Sequence, residues 1–318
     1  MLVKLQNIST KELSDKKMVI LIPFFLLELR KKLEKVRTKE KIAKDEKRIM
    51  IKQIVAIDMD GTLLDSKKRL PPDFIPWVKS HPQIQTIIAS GRQFYTLQNM
   101  FSEIAEQLVF ICDNGGLVFE KGEAVYKNVL SDENLQRCIT YIETLPNVVM
   151  ILCGVKAAYM QTTTDEVYKE TGNYYARLET VENPVDCIKK DSIVKVAIYV
   201  KNHDAEALYN CFPNLSDDLA VVLSGSDWID ISNKSASKGD ALKIVQKRLG
   251  ITKENSTAFG DYLNDYTLLQ ECGESYAMSN GHPDLKAIAK YIAPSNDEDG
   301  VMRILRHLHK THPDKTVQ

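Results

Sequence analysis

The sequence predicts an α/β fold, a doubly wound parallel Rossmann-like sheet with an inserted α+β domain. Four short apolar runs end in acidic, polar or glycine residues, as buried parallel strands do at the edge of an open sheet where ligands bind. These runs are Gln53–Asp58, Ile84–Ala89, Leu108–Cys112 and Ser256–Gly260. Helical segments alternate with the runs, and this alternation is typical of a parallel sheet that is covered on both faces.

The pattern changes between about residues 131 and 233. The helices and strands predicted there are Asp132–Leu145, Val148–Leu152, Ala157–Gln161, Asp204–Phe212, Leu219–Leu223 and Trp228–Ile231. Ile193–Val200 alternates in part, which predicts a strand with one solvated face. Because the first pattern then resumes, we interpret residues 131–233 as a cap inserted into one core domain, residues 50–130 and 234–308, with a polar tail at 309–318.

Composition is that of an ordinary globular protein and argues against nucleic acid as a main partner. Hydrophobic residues make up 44% and charged residues 27% of the 318 residues. The formal net charge of −1 hides an asymmetry, because residues 1–49 carry 14 Lys/Arg against 7 Asp/Glu, which leaves −8 on the remainder. An acidic body lacks the basic face that a nucleic acid needs. A bound divalent cation would still let it accept a small phosphorylated metabolite.

The cysteine pattern indicates a reducing compartment. The six cysteines are Cys112, Cys138, Cys153, Cys187, Cys211 and Cys272. They form no C-x-x-C pair and have no histidine at zinc spacing. We therefore expect reduced, mostly buried thiols in a cytoplasmic protein, without a disulfide framework. Nothing in the sequence specifies the oligomeric state.

The amino-terminal extension, residues 1–49, lies outside the predicted sheet and cap, and its role is unknown. Its apolar run Met18–Leu29 is shorter than the roughly 20 residues that span a bilayer, and a charged stretch from Arg30 follows instead of a signal-peptide cleavage site. Three interpretations stand: a membrane-surface anchor, a docking helix, or upstream sequence outside the working protein. We favour the third, because Met50 would itself be a natural start just before the first core strand. For the core we expect no membrane contact.

The segment Asp58–Asp65 carries the clearest chemistry. Asp58 and Asp60 stand two residues apart at the mouth of a buried strand, where carboxylates are costly unless a cation or a proton accompanies them. Gly61 lets the backbone turn and present N–H groups to an anion. Both carboxylates can then face one cavity, where one attacks phosphorus and the other handles the leaving group's proton. The alternative is a plain strand-end turn, in which Asp-Gly is common.

Four motifs in order resemble the haloacid dehalogenase superfamily. Asp58–Thr62 is similar to its D-x-D-G-T signature, and Ser90–Arg92 is similar to its second motif. Lys238, at the start of a predicted helix, is similar to the lysine motif, and Gly260–Asp265 is similar to the G-D-x-x-N-D motif. The resemblance covers about residues 50–308 and implies the sheet topology of that superfamily.

The inserted module lies between the second and third motifs, as in the capped Cof-type (type IIB) subfamily of sugar-phosphate and nucleotide-cofactor phosphatases. Other segments that resemble this subfamily are Asn114–Gly116, Met278–Gly281, Lys286 and Asn296–Val301. The resemblance implies hydrolysis of a small phosphomonoester, such as a sugar phosphate, flavin mononucleotide, a riboflavin-precursor phosphate or pyridoxal phosphate. It also implies that the cap closes over the site and sets specificity. Cap side chains that could reach the cleft are Tyr159, Tyr168, Tyr174, Tyr175, Arg177 and Trp228.

The resemblance also implies roles for the acidic residues. Asp58 would attack the phosphoryl group and form an aspartyl-phosphate, and Asp60 would protonate the leaving group and later deprotonate water. Mg²⁺ would be held by Asp58, the backbone carbonyl of Asp60 and Asp261. Asp265, with help from Asn264, would orient these ligands.

The remaining residues of the implied site bind the transferred phosphoryl group. Lys238 would neutralise its charge together with the metal ion. Ser90 would donate its hydroxyl to a phosphate oxygen, and backbone N–H groups near Gly61 and Gly91 would add further hydrogen bonds.

Several of these assignments have a structural alternative. Lys234 is the alternative to Lys238 as the lysine that neutralises the phosphoryl group. We favour Lys238, because Gly239 follows it and the predicted helix begins there. Ser90-Gly91 could form only a strand-to-helix turn, and Asp265 could be a helix N-terminal carboxylate. Further candidates near the site are Asp65, Arg92, Asp113 and Asn280.

Two other functions remain open. A phosphotransferase or phosphomutase would share Asp58 and Asp60 but pass the phosphoryl group to a sugar instead of water. A non-catalytic phosphate-binding regulator would retain the fold but lose the nucleophile, the acid or a metal ligand. All of these residues are intact, which favours an enzyme.

Overall fold

The computed structural model of the chain describes residues 50–224 and 226–308, apart from the side chain of residue 308. The fold lies in the unit Ile51–Gln318. The predictions for residues 1–49 and 309–318 fall outside the described residues and stay predictions. Two β-sheets organise the described part.

The described strands form one sheet of eight strands and one of six. In chain order they are β1 (Gln53–Asp58), β2 (Ile84–Ala89), β3 (Val109–Cys112), β4 (Leu117–Glu120), β5 (Glu123–Lys127), β6 (Val148–Gly154), β7 (Ala158–Gln161), β8 (Leu178–Val181), β9 (Ile193–Val200), β10 (Leu219–Leu223), β11 (Trp228–Asn233), β12 (Ser256–Gly260), β13 (Glu274–Met278) and β14 (Tyr291–Ala293). The larger sheet has the spatial order β14-β13-β12-β1-β2-β3-β4-β5. Strands β14 to β3 pair in parallel, and β4 and β5 add antiparallel at one edge.

The described helices pack against these sheets. In chain order they are α1 (Phe74–Ser80), α2 (Phe94–Met100), α3 (Asp132–Ile142), α4 (Asp165–Gly172), α5 (Ala205–Asn210), α6 (Lys238–Leu249), α7 (Tyr266–Gln270), α8 (Pro283–Ile288) and α9 (Gly300–Leu308). Helix α6 begins at Lys238 because Ser237 caps it, with its Oγ accepting a hydrogen bond from the Asp240 N–H at 3.1 Å. Within residues 50–224 and 226–308, every helix is too short or too polar to cross a membrane.

The larger sheet has a hydrophobic core on each face. Side chains alternate along β1, so Val55 and Ile57 pack with Phe74 of α1 on one face. Ile54 packs with Leu242 of α6 on the other face. Burial on both faces explains the continuous apolar runs in the sequence and confirms the predicted doubly wound α/β fold.

The six-stranded sheet belongs to the inserted segment and has the order β10-β11-β9-β6-β7-β8. It is antiparallel except for the β7–β8 pair. Where the chain passes between the sheets, Asn128 Nδ2 donates to Ser235 Oγ at 3.0 Å, and Asn233 Nδ2 donates to Asn128 Oδ1 at 2.7 Å. We propose on this basis that the cap spans residues 131–233.

The prediction of a solvated face on Ile193–Val200 is wrong, because all eight residues of β9 are buried. The strand lies between β6 and β11, so its edges are paired. Val196 and Ile198 pack with residues of α3 on one face. On the other face Tyr199 packs with Trp228 and its aromatic neighbours. The polar atoms of this strand therefore lie inside the protein, including the ammonium group of Lys195.

Candidate active site

Three carboxylates meet at the carboxyl edge of the larger sheet. Asp58 ends β1, Asp261 directly follows β12, and Asp265 ends the short turn after it. One oxygen from each of the three lies within 4.8 Å of the others. The parallel pairing of β1 with β12 produces this cluster, because it brings the ends of the two strands side by side.

Lys238 completes this cluster from the first turn of α6. Its side chain is fully buried, and its Nζ lies 2.6 Å from Asp58 Oδ1 and 2.6 Å from Asp265 Oδ1. Burial alone would lower the pKa of Lys238, but Asp265 and Asp58 outweigh it and hold the pKa above its ordinary value. The ammonium group is therefore charged and fixed beside Asp58.

The carboxylates carry more negative charge than Lys238 can balance. Burial, followed by the charges of Asp58 and Asp265, raises the pKa of Asp261 to about 7. Burial and Asp58 raise the pKa of Asp265 to about 6, although Lys238 opposes the rise. Crowded carboxylates of this kind need a further cation or a proton.

Asp261 and Asp265 are held in place by hydrogen bonds. Thr62 Oγ1 donates to Asp261 Oδ1 at 3.0 Å. Asp265 Oδ2 accepts from the N–H groups of Asp261 at 3.0 Å and Tyr262 at 3.2 Å, while its other oxygen contacts Lys238. Both oxygens of Asp265 therefore have hydrogen-bond partners within the protein.

Asp60 has a separate set of partners. Arg92 Nε donates to its Oδ2 at 2.9 Å and Arg92 Nη2 to its Oδ1 at 2.7 Å, and Lys68 Nζ lies 2.7 Å from Oδ1. Burial raises the pKa of Asp60, but the hydrogen bonds from Arg92 and Lys68 outweigh it and the pKa lies below its ordinary value. Asp60 is therefore ionised in this arrangement.

The turn after β1 requires Gly61. Its φ is +83°, and a Cβ there would lie 2.3 Å from Asp261 Oδ2. Only glycine satisfies both the backbone conformation and the close approach of that carboxylate. Asn280 Nδ2 donates to the Gly61 carbonyl at 2.9 Å, which ties the turn to the segment after β13.

Ser90 and Gly91 lie at the end of β2, the strand beside β1. The Ser90 side chain is buried, and its Oγ accepts a hydrogen bond from the Arg92 N–H at 3.2 Å. Gly91 packs against Asn114, whose Oδ1 accepts from Asn264 Nδ2 at 3.1 Å. Asn264 therefore lies at the Ser90 side of the site, and its hydrogen bond is to Asn114.

A family model for haloacid dehalogenase-like hydrolases matches residues 55–305, nearly the whole described part. The chain belongs to the haloacid dehalogenase-like hydrolase family. The structure and the motifs agree, because the matched region contains all four motif-bearing segments.

Relatives extend this assignment. The hydrolase is 31% identical over 264 residues to the 5-amino-6-(5-phospho-D-ribitylamino)uracil phosphatase YbjI of Escherichia coli (strain K12), covering 80% of this chain and 97% of the relative. It superposes on the crystal structure of SMU.1108c from Streptococcus mutans UA159 with a TM-score of 0.70 and 29% identity, covering 81% and 99% of the two chains. It also shares the fold of the subclass IIB sugar phosphatase BT4131, with a TM-score of 0.67 and 20% identity over 81% and 99%. The predicted Cof-type resemblance, the fold and the enzyme class are confirmed.

Other predicted candidates in this haloacid dehalogenase-like hydrolase have side-chain partners outside the acidic cluster. Asp65 binds Arg69, with the Nε donating to its Oδ2 at 2.6 Å. Asp113 forms a buried ion pair with Lys195 of β9. Lys238 is the lysine at the acidic cluster, because its Nζ contacts Asp58 and Asp265, whereas Lys234 lies in the segment before α6 and its backbone N–H donates to the Asp218 carbonyl.

The aromatic cap candidates form part of the cap itself. Trp228 and Tyr175 are buried together on the face of the six-stranded sheet that carries Tyr199. Tyr159 Oη donates to Asp191 Oδ2 at 3.2 Å. Tyr168 and Tyr174 are exposed. Nothing in these positions selects one of them as a substrate contact.

The hydrolase has a cap–core contact that the motifs did not reveal. Gln93, one residue after the second motif, accepts a hydrogen bond from the Arg177 N–H at 3.0 Å and donates to the Arg177 carbonyl at 3.1 Å. The Arg177 guanidinium lies over the Tyr95 ring, 4.6 Å from its centroid. Thr96 Oγ1 accepts from the Ala176 N–H at 3.1 Å. These contacts hold the cap to the core directly beside Ser90–Arg92. A lone glutamine in the sequence does not predict such a contact.

Proposed function

We propose that this hydrolase removes phosphate from a phosphomonoester of a small metabolite, with Mg²⁺ as cofactor and Asp58 as nucleophile. The observation that carries the proposal is the placement of Lys238, fully buried and 2.6 Å from Asp58. A buried cation beside a carboxylate prepares the site for an incoming dianion, because it reduces repulsion between the nucleophile and the phosphoryl group.

The acidic cluster fits a magnesium ion by its donor set. Mg²⁺ prefers oxygen ligands, and Asp58 and Asp261 offer carboxylate oxygens that lie within 4.8 Å of each other. Asp265 belongs to the same cluster, but its oxygens already serve Lys238 and two backbone N–H groups, so we assign it the role of orienting the ligands. We assign the third protein ligand to the backbone carbonyl of Asp60. When bound, the ion would neutralise charge on the transferring phosphoryl group.

The reaction proceeds in two steps on this chain's own residues. In the first, an Asp58 oxygen forms a bond to phosphorus, the bond to the leaving oxygen breaks, and Asp60 gives that oxygen a proton. In the second, Asp60 takes a proton from water, the water oxygen bonds to phosphorus, and the aspartyl-phosphate bond breaks to release phosphate. Lys238 and the Ser90 hydroxyl hold the phosphoryl oxygens throughout, with N–H groups near Gly61 and Gly91.

The contacts of Asp60 fit the second step better than the first. Arg92 and Lys68 keep its carboxylate ionised, which is the form that accepts a proton from water. The acid role requires the protonated form. We therefore propose that an arriving phosphate draws Arg92 or Lys68 away from Asp60 and so raises its pKa before the first step.

The substrate we test first is 5-amino-6-(5-phospho-D-ribitylamino)uracil, since YbjI is named for it and covers most of this chain. Sugar phosphates, flavin mononucleotide and pyridoxal phosphate complete the panel, because one fold serves many substrates. We propose a cytoplasmic location on the strength of the cysteines, which are free thiols in the described residues and are buried except Cys211.

The experiment measures phosphate release from this panel by the wild type and Asp58→Asn, with MgCl₂ or EDTA. Metal-dependent release that disappears in Asp58→Asn supports the proposal. Turnover that persists in EDTA contradicts the metal assignment, and turnover in the variant contradicts the nucleophile. Transfer of the phosphoryl group to an added sugar instead of water would favour the phosphotransferase alternative.

A further inference from the structure

A buried lysine reaches from the inserted sheet to the core domain. Lys195 lies on β9, and its Nζ is 2.8 Å from Asp113 Oδ1 of the core and 3.5 Å from Asp230 Oδ2 of β11. The Lys195 and Asp113 side chains are 5% and 2% exposed. The Tyr175 ring centroid lies 5.9 Å from the ammonium nitrogen. Burial of an ammonium group costs free energy unless a carboxylate neutralises its charge. The buried position of Lys195 therefore depends on its ion pair with Asp113.

Asp113 opens a segment with an unusual backbone. Asp113, Asn114 and Gly115 have consecutive φ values of 49°, 55° and 100°. Asp and Asn tolerate this left-handed region better than most side chains, yet it remains strained for them. Gly115 cannot carry a side chain, because a Cβ would lie 2.1 Å from the carbonyl oxygen of Ser237, the residue that caps the helix of the lysine motif. Such a conformation persists only where surrounding contacts hold it.

The same segment supports the phosphate side of the site. The Asp113 N–H donates to the Arg92 carbonyl at 3.2 Å, and the Asn114 N–H donates to the Ser90 carbonyl at 3.1 Å. Asn114 Oδ1 accepts from Asn264 of the fourth motif. Residues 113–115 thus contact the second motif, the fourth motif and Ser237, the N-cap residue of the helix that begins at Lys238.

We propose that Lys195 is a positioning residue for the phosphate site: its ion pair with Asp113 holds residues 113–115 in the left-handed conformation, and that segment fixes the backbone of Ser90–Arg92. The inference rests on the proposed function, since it concerns the groups that bind the transferred phosphoryl group. Lys195 acts without touching the substrate. Its effect is therefore the same for every substrate, because all of them share the phosphoryl group.

The test compares full-length Lys195→Met with the wild type on the preferred metabolite and on p-nitrophenyl phosphate. It also measures the Kd for inorganic phosphate in MgCl₂ by calorimetry. We expect kcat to fall on the order of tenfold or more, by the same factor for both substrates, because small displacements of binding groups are costly. The Kd for inorganic phosphate rises. Lys195→Arg retains most of the activity, and Lys201→Met, an exposed lysine directly after β9, matches the wild type.

The outcomes separate positioning from other roles. A loss confined to the metabolite overturns the proposal, because Lys195 would then contact the rest of the substrate. Unchanged kcat and phosphate affinity in a folded Lys195→Met protein also overturn it. If that variant does not fold, Lys195→Met/Asp113→Asn, which removes both buried charges, takes its place. In the double variant, full turnover overturns the proposal, and reduced turnover at an unchanged Tm supports it.

The experiment distinguishes failure of the proposed phosphatase function from failure of the proposed role of Lys195. A wild type that releases phosphate from no substrate counts against the phosphatase proposal. The phosphate affinities of the same variants still decide the role of Lys195.

Discussion

Lys238 and Lys195 are the two buried lysines of the described residues, and each faces two carboxylates. The Nζ of Lys238 lies 2.6 Å from both of its partners, which belong to the core domain. The Nζ of Lys195 lies 2.8 Å from a core carboxylate and 3.5 Å from one on its own sheet. We assign the first lysine to the group of residues that carries out the reaction, and the second to the contact between the cap and the segment that supports them. Similar burial and charge therefore serve different tasks, and the distinction lies in what each carboxylate touches.

The largest expected effect separates the carboxylates of the two clusters. Asp58→Asn should lower turnover by about 10³-fold or more, because it removes the proposed nucleophile. Asp230→Asn, which removes the more distant partner of Lys195, should leave turnover within about threefold. Steady-state phosphate release, with Tm to confirm folding, checks both. Equal losses of turnover in the two variants would contradict the assignment of Asp58, and not Asp230, to the reaction.

Removal of Lys238 should affect both activity and stability. Lys238→Met leaves two buried carboxylates without their cation, so unfolding free energy should fall by about 3–5 kcal/mol and turnover by about 10²-fold. Urea unfolding and kcat measure the two effects. The matched control Lys201→Met is exposed and should change stability by less than about 0.5 kcal/mol. A Lys238→Met protein as active as this control would contradict the assigned role.

The acidic cluster should make metal-free stability depend on pH. The pKa values of Asp261 and Asp265 are raised from 3.8 to about 7 and about 6. The stability that these two groups contribute is full below pH 3.8 and is lost progressively as pH rises from there through 6 to 7. In EDTA, Asp261→Asn should gain a few degrees in Tm relative to the wild type between pH 5.5 and pH 8. Stabilisation by MgCl₂ should be larger at pH 8, because the ion binds the ionised carboxylates.

Thermal scans of both proteins at the two pH values measure this difference. A constant gap between wild type and Asp261→Asn in EDTA would show that the Asp261 carboxyl does not change its protonation there. Equal stabilisation by MgCl₂ in both proteins would argue against Asp261 as a ligand.

The smallest expected effect concerns the second cap–core contact. Gln93→Ala removes two hydrogen bonds to Arg177, so KM for the metabolite should rise by about three- to tenfold. The kcat for p-nitrophenyl phosphate should stay within about twofold, because a small ester depends little on cap closure. Gln136→Ala, on the exposed side of the cap, is the matched control. A fall in kcat equal to that of Lys195→Met would mean that both cap contacts act on the phosphate site.

The sequence was sufficient for the parallel sheet and for the residues at its edge. Asp58 ends a strand, and Ser90 and Asp261 each follow one; apolar runs indicate these strands and their parallel direction, so the convergence of the three residues could be predicted. The placement of Lys238 followed from its position at a helix start beside that edge. These are local patterns with one structural outcome.

The contacts of Asp60, Gln93 and Lys195 could not be predicted in the same way. Each joins segments whose approach depends on how the cap and loops pack, as with Gln93 and Arg177, which are 84 residues apart. The partial alternation of Ile193–Val200 also misled, since a central strand covered on both faces buries its polar positions as well. Burial of Lys195 became visible only with the tertiary structure.

The proposed role of Asp58 as nucleophile is tested by a search for phosphate bound covalently to this residue. Asp60→Asn is mixed with p-nitrophenyl phosphate in MgCl₂, because this leaving group needs no proton while hydrolysis of the intermediate still needs a base. We predict a burst of p-nitrophenolate stoichiometric with enzyme, and acid-quenched phosphate on the peptide that contains Asp58. Continued turnover without a burst, or phosphate on another residue, would contradict Asp58 as the nucleophile.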